Sequence, residues 1–297
     1  AMQAMGVTEV FLYFLIIRFF LIFALDPWFM FGGLGVPALG LKGVALATVV
    51  IQAIGVLYIG YMANRTGLFC SRCLKMISPR KKQYKEIASQ GFPAGLNMMT
   101  VAIGIFVITY FVSDFGKEAV AAYGIATRIE QIALLPTIGL NIATLAIVAQ
   151  NHGAGKFSRI KETLKKAIRY GIYVLSVGGI GVFFFSRQLM GLFTDDALVV
   201  DIGGFYLKIA VFIFWAYVIL FTSVSALQGM KKPFYALWIG LYRQILAPVL
   251  GFWFLAHFLG MGLLGIWIGI LIITWSAALI TLAYTGHVFK RKVKKSS

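Results

Sequence analysis

Apolar stretches long enough to cross a bilayer recur along the whole chain, each a continuous run rather than an alternation. Eight of them predict helices over residues 10–31, 43–63, 87–112, 120–150, 170–185, 203–229, 234–258 and 262–288. The fifth is the shortest and is expected to extend back into the basic turn before it. The last two are separated only by a short break at 259–262. The runs exceed the ~10 residues of a barrel strand and lack its period of two, so the pattern excludes a transmembrane β-barrel. Pro93, Pro136 and Pro248 fall inside three of the stretches and predict kinks. The fold class is read as an all-α membrane protein.

Composition supports this and changes how the charge is read. Hydrophobic residues make up 60% of the chain and charged residues 12%, with a mean hydropathy of +0.89. So few charges cannot cover the surface of a water-soluble domain of 297 residues. The 27 basic residues outnumber the 10 acidic ones, a formal net charge of +17. In a soluble chain that excess would point to nucleic acid. Here it gathers in alternate turns, and no nucleic-acid partner is expected. Arg65, Arg72, Lys75, Arg80, Lys81, Lys82 and Lys85 follow the second span, and Lys156, Arg159, Lys161, Lys165, Lys166 and Arg169 follow the fourth. Lys231 and Lys232 follow the sixth, and Lys290, Arg291, Lys292, Lys294 and Lys295 form the tail. The opposite turns hold only Lys42, Lys117 and Arg187, beside Asp114, Glu118, Asp195, Asp196 and Asp201. The positive-inside rule then puts both ends of this chain in the cytoplasm, as a multi-pass protein of the cell membrane, and an even number of spans follows. Cys70 and Cys73 form a Cys-x-x-Cys in the first basic stretch. With no second pair or nearby His to complete a zinc site, they are expected to be free, reduced thiols.

An internal repeat organises the spans. Ala1-Met2-Gln3-Ala4-Met5-Gly6 reads like Ala226-Leu227-Gln228-Gly229-Met230-Lys231, and Arg18 like Arg243. Leu25-Asp26-Pro27 reads like Leu246-Ala247-Pro248, and Gly40-Leu41-Lys42-Gly43 like Gly262-Leu263-Leu264-Gly265. Each copy is a Pro-containing span, a Gly-rich outer loop and another span. Such repeats build many transporters, with sites between the copies. The second copy has four spans before it, so symmetry predicts four further spans ahead of Ala1.

The chain resembles the MATE (multidrug and toxic compound extrusion) family along nearly its whole length. The resemblance rests on Leu25-Asp26-Pro27 with Gly43-Val44-Ala45-Leu46-Ala47-Thr48, and on Gly91-Phe92-Pro93-Ala94-Gly95-Leu96. It rests further on Ala121-Ala122-Tyr123-Gly124-Ile125 through Arg128-Ile129-Glu130-Gln131 to Gln150-Asn151-His152-Gly153-Ala154-Gly155, and on Leu192-Phe193-Thr194-Asp195-Asp196. It implies a MATE-type bundle of twelve helices in two lobes, of which this chain supplies the last eight. Residues 1–64 would end the N-lobe, 65–86 would be a cytoplasmic linker, 87–289 the six-helix C-lobe and 290–297 a basic tail. The implied activity is antiport: export of small amphipathic organic cations in exchange for Na⁺ or H⁺, by a monomer among membrane lipids and without a cofactor.

A charge at mid-bilayer costs a few kcal/mol and needs a partner or a role. The candidates are Arg18, Asp26, Arg128, Glu130, Lys208 and Arg243. Asp26 precedes Pro27, which frees a carbonyl one turn earlier. A carboxylate beside a free carbonyl suits a hard cation, and a desolvated carboxylate suits a proton. A structural Asp held by Arg18 or by a helix end is the alternative. The resemblance implies that Asp26 and Thr48 help form a Na⁺ or H⁺ site. The family's usual Asn one turn before the Asp is Ile22 here. Asn97, Arg128, Glu130, Gln131 and Asn141, with Arg18, are candidates for a cavity or proton relay, or for interhelical hydrogen bonds. Two functions compete with antiport. A flippase for lipid-linked oligosaccharides would need a strongly cationic cavity. An intramembrane enzyme would need catalytic groups at mid-membrane, whereas His152, His257 and His287 all fall at span ends. An inactive transporter fragment is the remaining reading.

Overall fold

The structure, a computed structural model, describes residues 9–33, 37–65 and 81–293. The first six residues of the repeat, Cys70, Cys73 and the end of the basic tail lie outside the described residues. The chain divides into two compact units, Ala1–Gln83 and Tyr84–Ser297. Among the described residues, eight helical stretches are long and apolar enough to cross a membrane.

The first unit holds α1 (Glu9–Phe31) and α2 (Leu41–Arg65), packed antiparallel. In α2 the buried residues Gly43, Ala47, Ile51 and Gly55 recur every four residues and form one stripe. A methyl group built on Gly43 would run into the carbonyl oxygen of Phe29, and one on Gly55 into the ring of Phe14. The same Phe29 carbonyl accepts a hydrogen bond from the amide of Leu39 at 3.2 Å, which ties Leu39 to the end of α1. Glycine here lets two helices touch through their backbones, which is how helices gain packing energy where lipid is as apolar as leucine.

The second unit is built on α3 (Lys81–Ser113), α4 (Lys117–Gly153), α5 (Phe157–Phe184), the short α6 (Ser186–Gly191), α7 (Ala197–Gly229), a compound helix over Pro233–Phe258, and a last long helix. The compound helix runs as α8 (Pro233–Leu241), a π-helical segment Tyr242–Leu246, α9 (Ala247–Phe252) and a second π-helical segment Trp253–Phe258. The last helix is α10 (Gly262–Val293). α7 is the centre: it packs on α4, α5, α6, α8 and α10, and its buried residues lie all round it. Tyr123, Leu175, Phe214, Phe252 and Trp267 fill the main core around it. Gly229 lies against the backbone of Leu145 and Ala149, and Gly171 against Val218 and Leu140.

Helix ends explain the spans' true lengths. α5 starts at Phe157, thirteen residues before the stretch at 170–185, because its first half is amphipathic. There Ile160, Leu164 and Ala167 are buried while Arg159, Lys161, Lys165 and Lys166 are exposed, and the basic face hides the helix from an apolar scan. α3 likewise starts at Lys81, inside the stretch expected to be linker. Asp196 caps α7, accepting from the amides of Leu198 at 2.9 Å and Val199 at 3.3 Å. Turns between spans close on left-handed glycines such as Gly155, at φ 70°. α3 and α4 continue through Pro93 and Pro136. Pro248 differs, standing between the two π-helical segments. Proline cannot donate to the carbonyl one turn back, and wider turns beside it re-pair the backbone.

Candidate functional site

A cavity of about 510 Å³ opens inside the second unit, walled by α3, α4, α7, the compound helix and α10. α4 contributes Tyr123, Thr127, Glu130, Gln131 and Leu134, spaced three and four apart and so on one face. α7 contributes Tyr206, Tyr217 and Phe221, and the compound helix Arg243, Gln244, Pro248 and Phe252. The π-helical turn at Tyr242–Leu246 is thus the part of its helix that carries the polar lining. Two close approaches hold α3 beside it. Gly104 faces the Gln244 side chain, whose Nε2 donates to the carbonyl of Val101 at 3.4 Å, and Gly240 faces Asn97 and Thr100.

Glu130 is the deepest charge in the cavity, 6% exposed. Its Oε2 accepts a hydrogen bond from the Tyr206 hydroxyl at 2.9 Å. Tyr206 is itself held by Tyr123 and Trp267, at ring-centre distances of 5.6 and 4.7 Å. On the other side, Tyr217 interacts with both Glu130 and Arg243. The Arg243 guanidinium lies 5.5 Å from the Tyr217 ring centre and 5.8 Å from that of Phe221, and these two rings are stacked at 5.3 Å. Glu130 and Arg243 make no ion pair among those of the described residues. The acid and the base therefore share the cavity through tyrosine, the base resting on aromatic faces. A carboxylate so placed can take up a proton or a cation without first breaking a salt bridge.

The predicted residues separate into groups. Glu130, Arg128 and Gln131 line this cavity, Arg128 and Gln131 at more exposed positions. Asn97 stands behind it, against Gly240. Asn141 lies about three turns further along α4, with its Oδ1 buried and without a hydrogen-bond partner. Lys208 is exposed on α7. Arg18, Asp26 and Thr48 belong to the first unit. Asp26 Oδ1 is buried with no hydrogen-bond partner, and no ion pair joins Asp26 to Arg18. The Thr48 hydroxyl donates to the carbonyl of Val44 at 3.0 Å, which leaves its own oxygen free to accept. An orphaned carboxylate oxygen fits a cation or a proton.

Sequence reasoning did not nominate Tyr206 or Tyr217, and it singled out Arg243 only as a charge in a span. Tyr206 and Tyr217 are three helical turns apart and share a face of α7, a signal that was available. Tyrosine in a span is ordinarily read as an interfacial anchor, which masks it. Arg243 was visible as a charge in a span, but its neighbours are rings, so no acid nearby in sequence pointed to its role.

A family model described as MatE matches residues 93–253. The probable multidrug resistance protein YoeA of Bacillus subtilis (strain 168) is 26% identical over 286 residues, 94% of this chain and 61% of that protein. The FAD transporter of Shewanella oneidensis is 27% identical over 222 residues, 75% of this chain and 49% of that protein. The chain thus spans roughly half to three fifths of the length of these curated relatives. An outward-facing multidrug resistance MATE family transporter of the MOP superfamily superposes with a TM-score of 0.89, over 99% of this chain and 65% of that one, at 21% identity. That likeness shows the fold. With the family model matching more than half of its residues, this multi-pass membrane chain belongs to the MatE family of transporters.

Proposed function

We propose that this chain is the cavity-bearing part of a secondary antiporter of the cell membrane, which exports amphipathic organic cations in exchange for H⁺ or Na⁺ by alternating access. The observation that carries the reading is Glu130, a carboxylate buried in a span, hydrogen-bonded to Tyr206 and facing a cavity shared with Arg243. Relatives named for multidrug resistance support it. With Glu130 ionised, the two arginines of the lining leave the cavity at a formal +1. Loading Glu130 with a proton or Na⁺ raises that charge and makes the cavity less hospitable to an organic cation. Each ligand then weakens the other, which is the linkage an exchanger needs. Asp26 with Thr48 is the proposed second cation site, in the first unit. The basic turns face the cytoplasm in this reading, with both ends of the chain inside.

The test is export of ethidium from cells expressing the complete protein, under separately imposed Na⁺ and pH gradients. Glu130→Gln, which imitates the loaded state, is expected to abolish gradient-driven export at normal expression. Asp26→Asn is expected to do the same. Undiminished drug resistance in Glu130→Gln cells would sink the assignment of Glu130.

A second reading is favoured by the same arginines. A net positive, aromatic-lined cavity suits an anionic aromatic substrate, and one relative is named an FAD transporter. For an anion the sign of coupling reverses: loading Glu130 attracts the substrate, and the two would move together. Competition between FAD and ethidium for the purified protein, titrated against pH, separates the readings. Tighter FAD binding on acidification favours the second, and tighter ethidium binding on alkalinisation the first.

A further inference from the structure

α3 meets the compound helix through two glycine notches at successive turns, one on each helix. At Gly240 the notch belongs to the compound helix, and the side chains of Asn97 and Thr100 of α3 close over it. At Gly104 the notch belongs to α3, and the Gln244 side chain lies along it. A methyl group built on Gly104 would come within 2.6 Å of Gln244 Cδ and within 2.8 Å of its Cβ and Nε2, so the side chain fills the notch along its length. Asn97, Thr100 and Gly104 are three and four residues apart, and Gly240 and Gln244 are four apart, so each row is one face of its helix. Gln244 is 6% exposed, and the bond from its Nε2 to the carbonyl of Val101 is long, at 3.4 Å. The notch therefore holds Gln244 by shape more than by its amide.

The place of this contact gives it a consequence beyond packing. Gln244 is the middle residue of the π-helical segment Tyr242–Leu246, and Arg243 is its neighbour. Pro248 stands four residues on, so it offers no α-type hydrogen bond to the carbonyl of Gln244. The backbone of this turn lacks one of the bonds that would fix its register, and that task falls to side chains. A shift of one residue turns each side chain by about 100°. Arg243 would then leave the rings of Tyr217 and Phe221, whose centres lie 5.5 and 5.8 Å from its guanidinium. Gln244 cannot make the same turn while it lies across Gly104.

We propose that Gln244 is a positioning residue of the chamber: keyed into Gly104 of α3, it fixes the register of the π-helical turn and so holds the Arg243 guanidinium on its two rings, apart from Glu130. The proposal deepens the reading of Glu130 and Arg243 as charges that share one chamber without touching. It makes α3, which carries the notch, the element that governs where the Arg243 charge stands. Asn97 and Thr100 over Gly240 keep the two helices together when the key is removed, so its loss acts locally.

The test is the rate at which phenylglyoxal modifies Arg243 in the purified complete protein, read by peptide mass spectrometry. All variants carry Glu130→Gln, so that the carboxylate of the chamber cannot capture a released guanidinium. Gln244→Ala empties the notch and is expected to speed modification of Arg243 at least fivefold. Gly104→Ala evicts Gln244 from the other side and is expected to match it, although alanine is the better helix former. Gln244→Met, of similar length and without the amide, refills the notch and is expected to stay within twofold of the parent. Arg187, exposed in α6, is the reference whose rate should not change. Unchanged Arg243 rates in both alanine variants would overturn the proposal. So would an equal rise at Arg187, the mark of general loosening. No substrate or gradient enters the measurement, so failure of the exporter reading would leave this result standing.

Discussion

At the scale of single residues, the arrangement that matters most is a carboxylate and a guanidinium that share one chamber without touching. Glu130 is bonded to Tyr206, and Arg243 lies on Tyr217 and Phe221. Tyr206→Phe keeps the ring packing against Trp267 and removes only the hydroxyl. Hydrogen bonds to charged groups contribute about 1.5–3 kcal/mol, so thermal unfolding in detergent should show a loss of that order, with export impaired but expression retained. An unchanged melting curve would mean that Tyr217, on the other side of the carboxylate, makes up for the lost donor. Arg243→Lys keeps the charge and loses the planar face. Ethidium titration of the purified variants should then show binding close to wild type for Arg243→Lys and several times tighter for Arg243→Gln, which removes a positive charge from the cavity. Glu130 was legible in the sequence because an acid in an apolar span is conspicuous. Its tyrosine partners were not, because 76 residues separate Glu130 from Tyr206 and only packing brings them together.

At the scale of elements, the two halves of the internal repeat solve the same packing problem. A methyl group built on Gly43 of α2 would run into the carbonyl of Phe29, and one built on Gly265 of α10, its counterpart in the repeat, would come within 2.8 Å of the carbonyl of Leu255. In both, the helix that follows the Gly-rich loop starts against the backbone of the Pro-containing helix before it. Gly265→Ala should therefore cost more than Gly286→Ala, whose added methyl group meets nothing within 4 Å. Overpacking costs ~1–3 kcal/mol, whereas Ala at the second site should raise stability by up to about 1 kcal/mol through helix propensity. Thermal scans of the two variants would compare them directly. Lys231, at φ 60°, is a left-handed residue other than glycine in the turn before α8. Lys231→Gly relieves a strain of roughly 1 kcal/mol and should raise the melting temperature. The repeat could be read from ordered Gly and Pro positions. The start of α5 could not, since its charges face water on one side only and an averaged hydropathy does not see sides.

At the scale of the whole molecule, the basic turns make a claim about orientation that chemistry can check. In a background lacking Cys70 and Cys73, a single cysteine replacing Lys161 should resist a membrane-impermeant maleimide added to intact cells, and one replacing Asp195 should react. The opposite pattern would invert the topology and with it the side from which Glu130 is loaded. The coupling proposed above is also of sufficient size. Two unit charges about 6 Å apart at an effective dielectric of about 20 interact by roughly 3 kcal/mol, about a hundredfold in binding. That is at the upper end of ordinary linkage between sites, so no mechanical relay is needed to make Glu130 and an organic cation exclude each other.

The compound helix has one more property. Each of its π-helical turns, Tyr242–Leu246 and Trp253–Phe258, stores a residue beyond what an α-helix of the same rise would hold. Passing that spare residue along the helix by a turn would swivel the side chains it crosses by about 100°, with the ends of the helix left in place. Arg243 sits on the first of these turns. Its guanidinium could leave the rings of Tyr217 and Phe221 by a wave of slack travelling through one helix, with no tilt of the bundle around it.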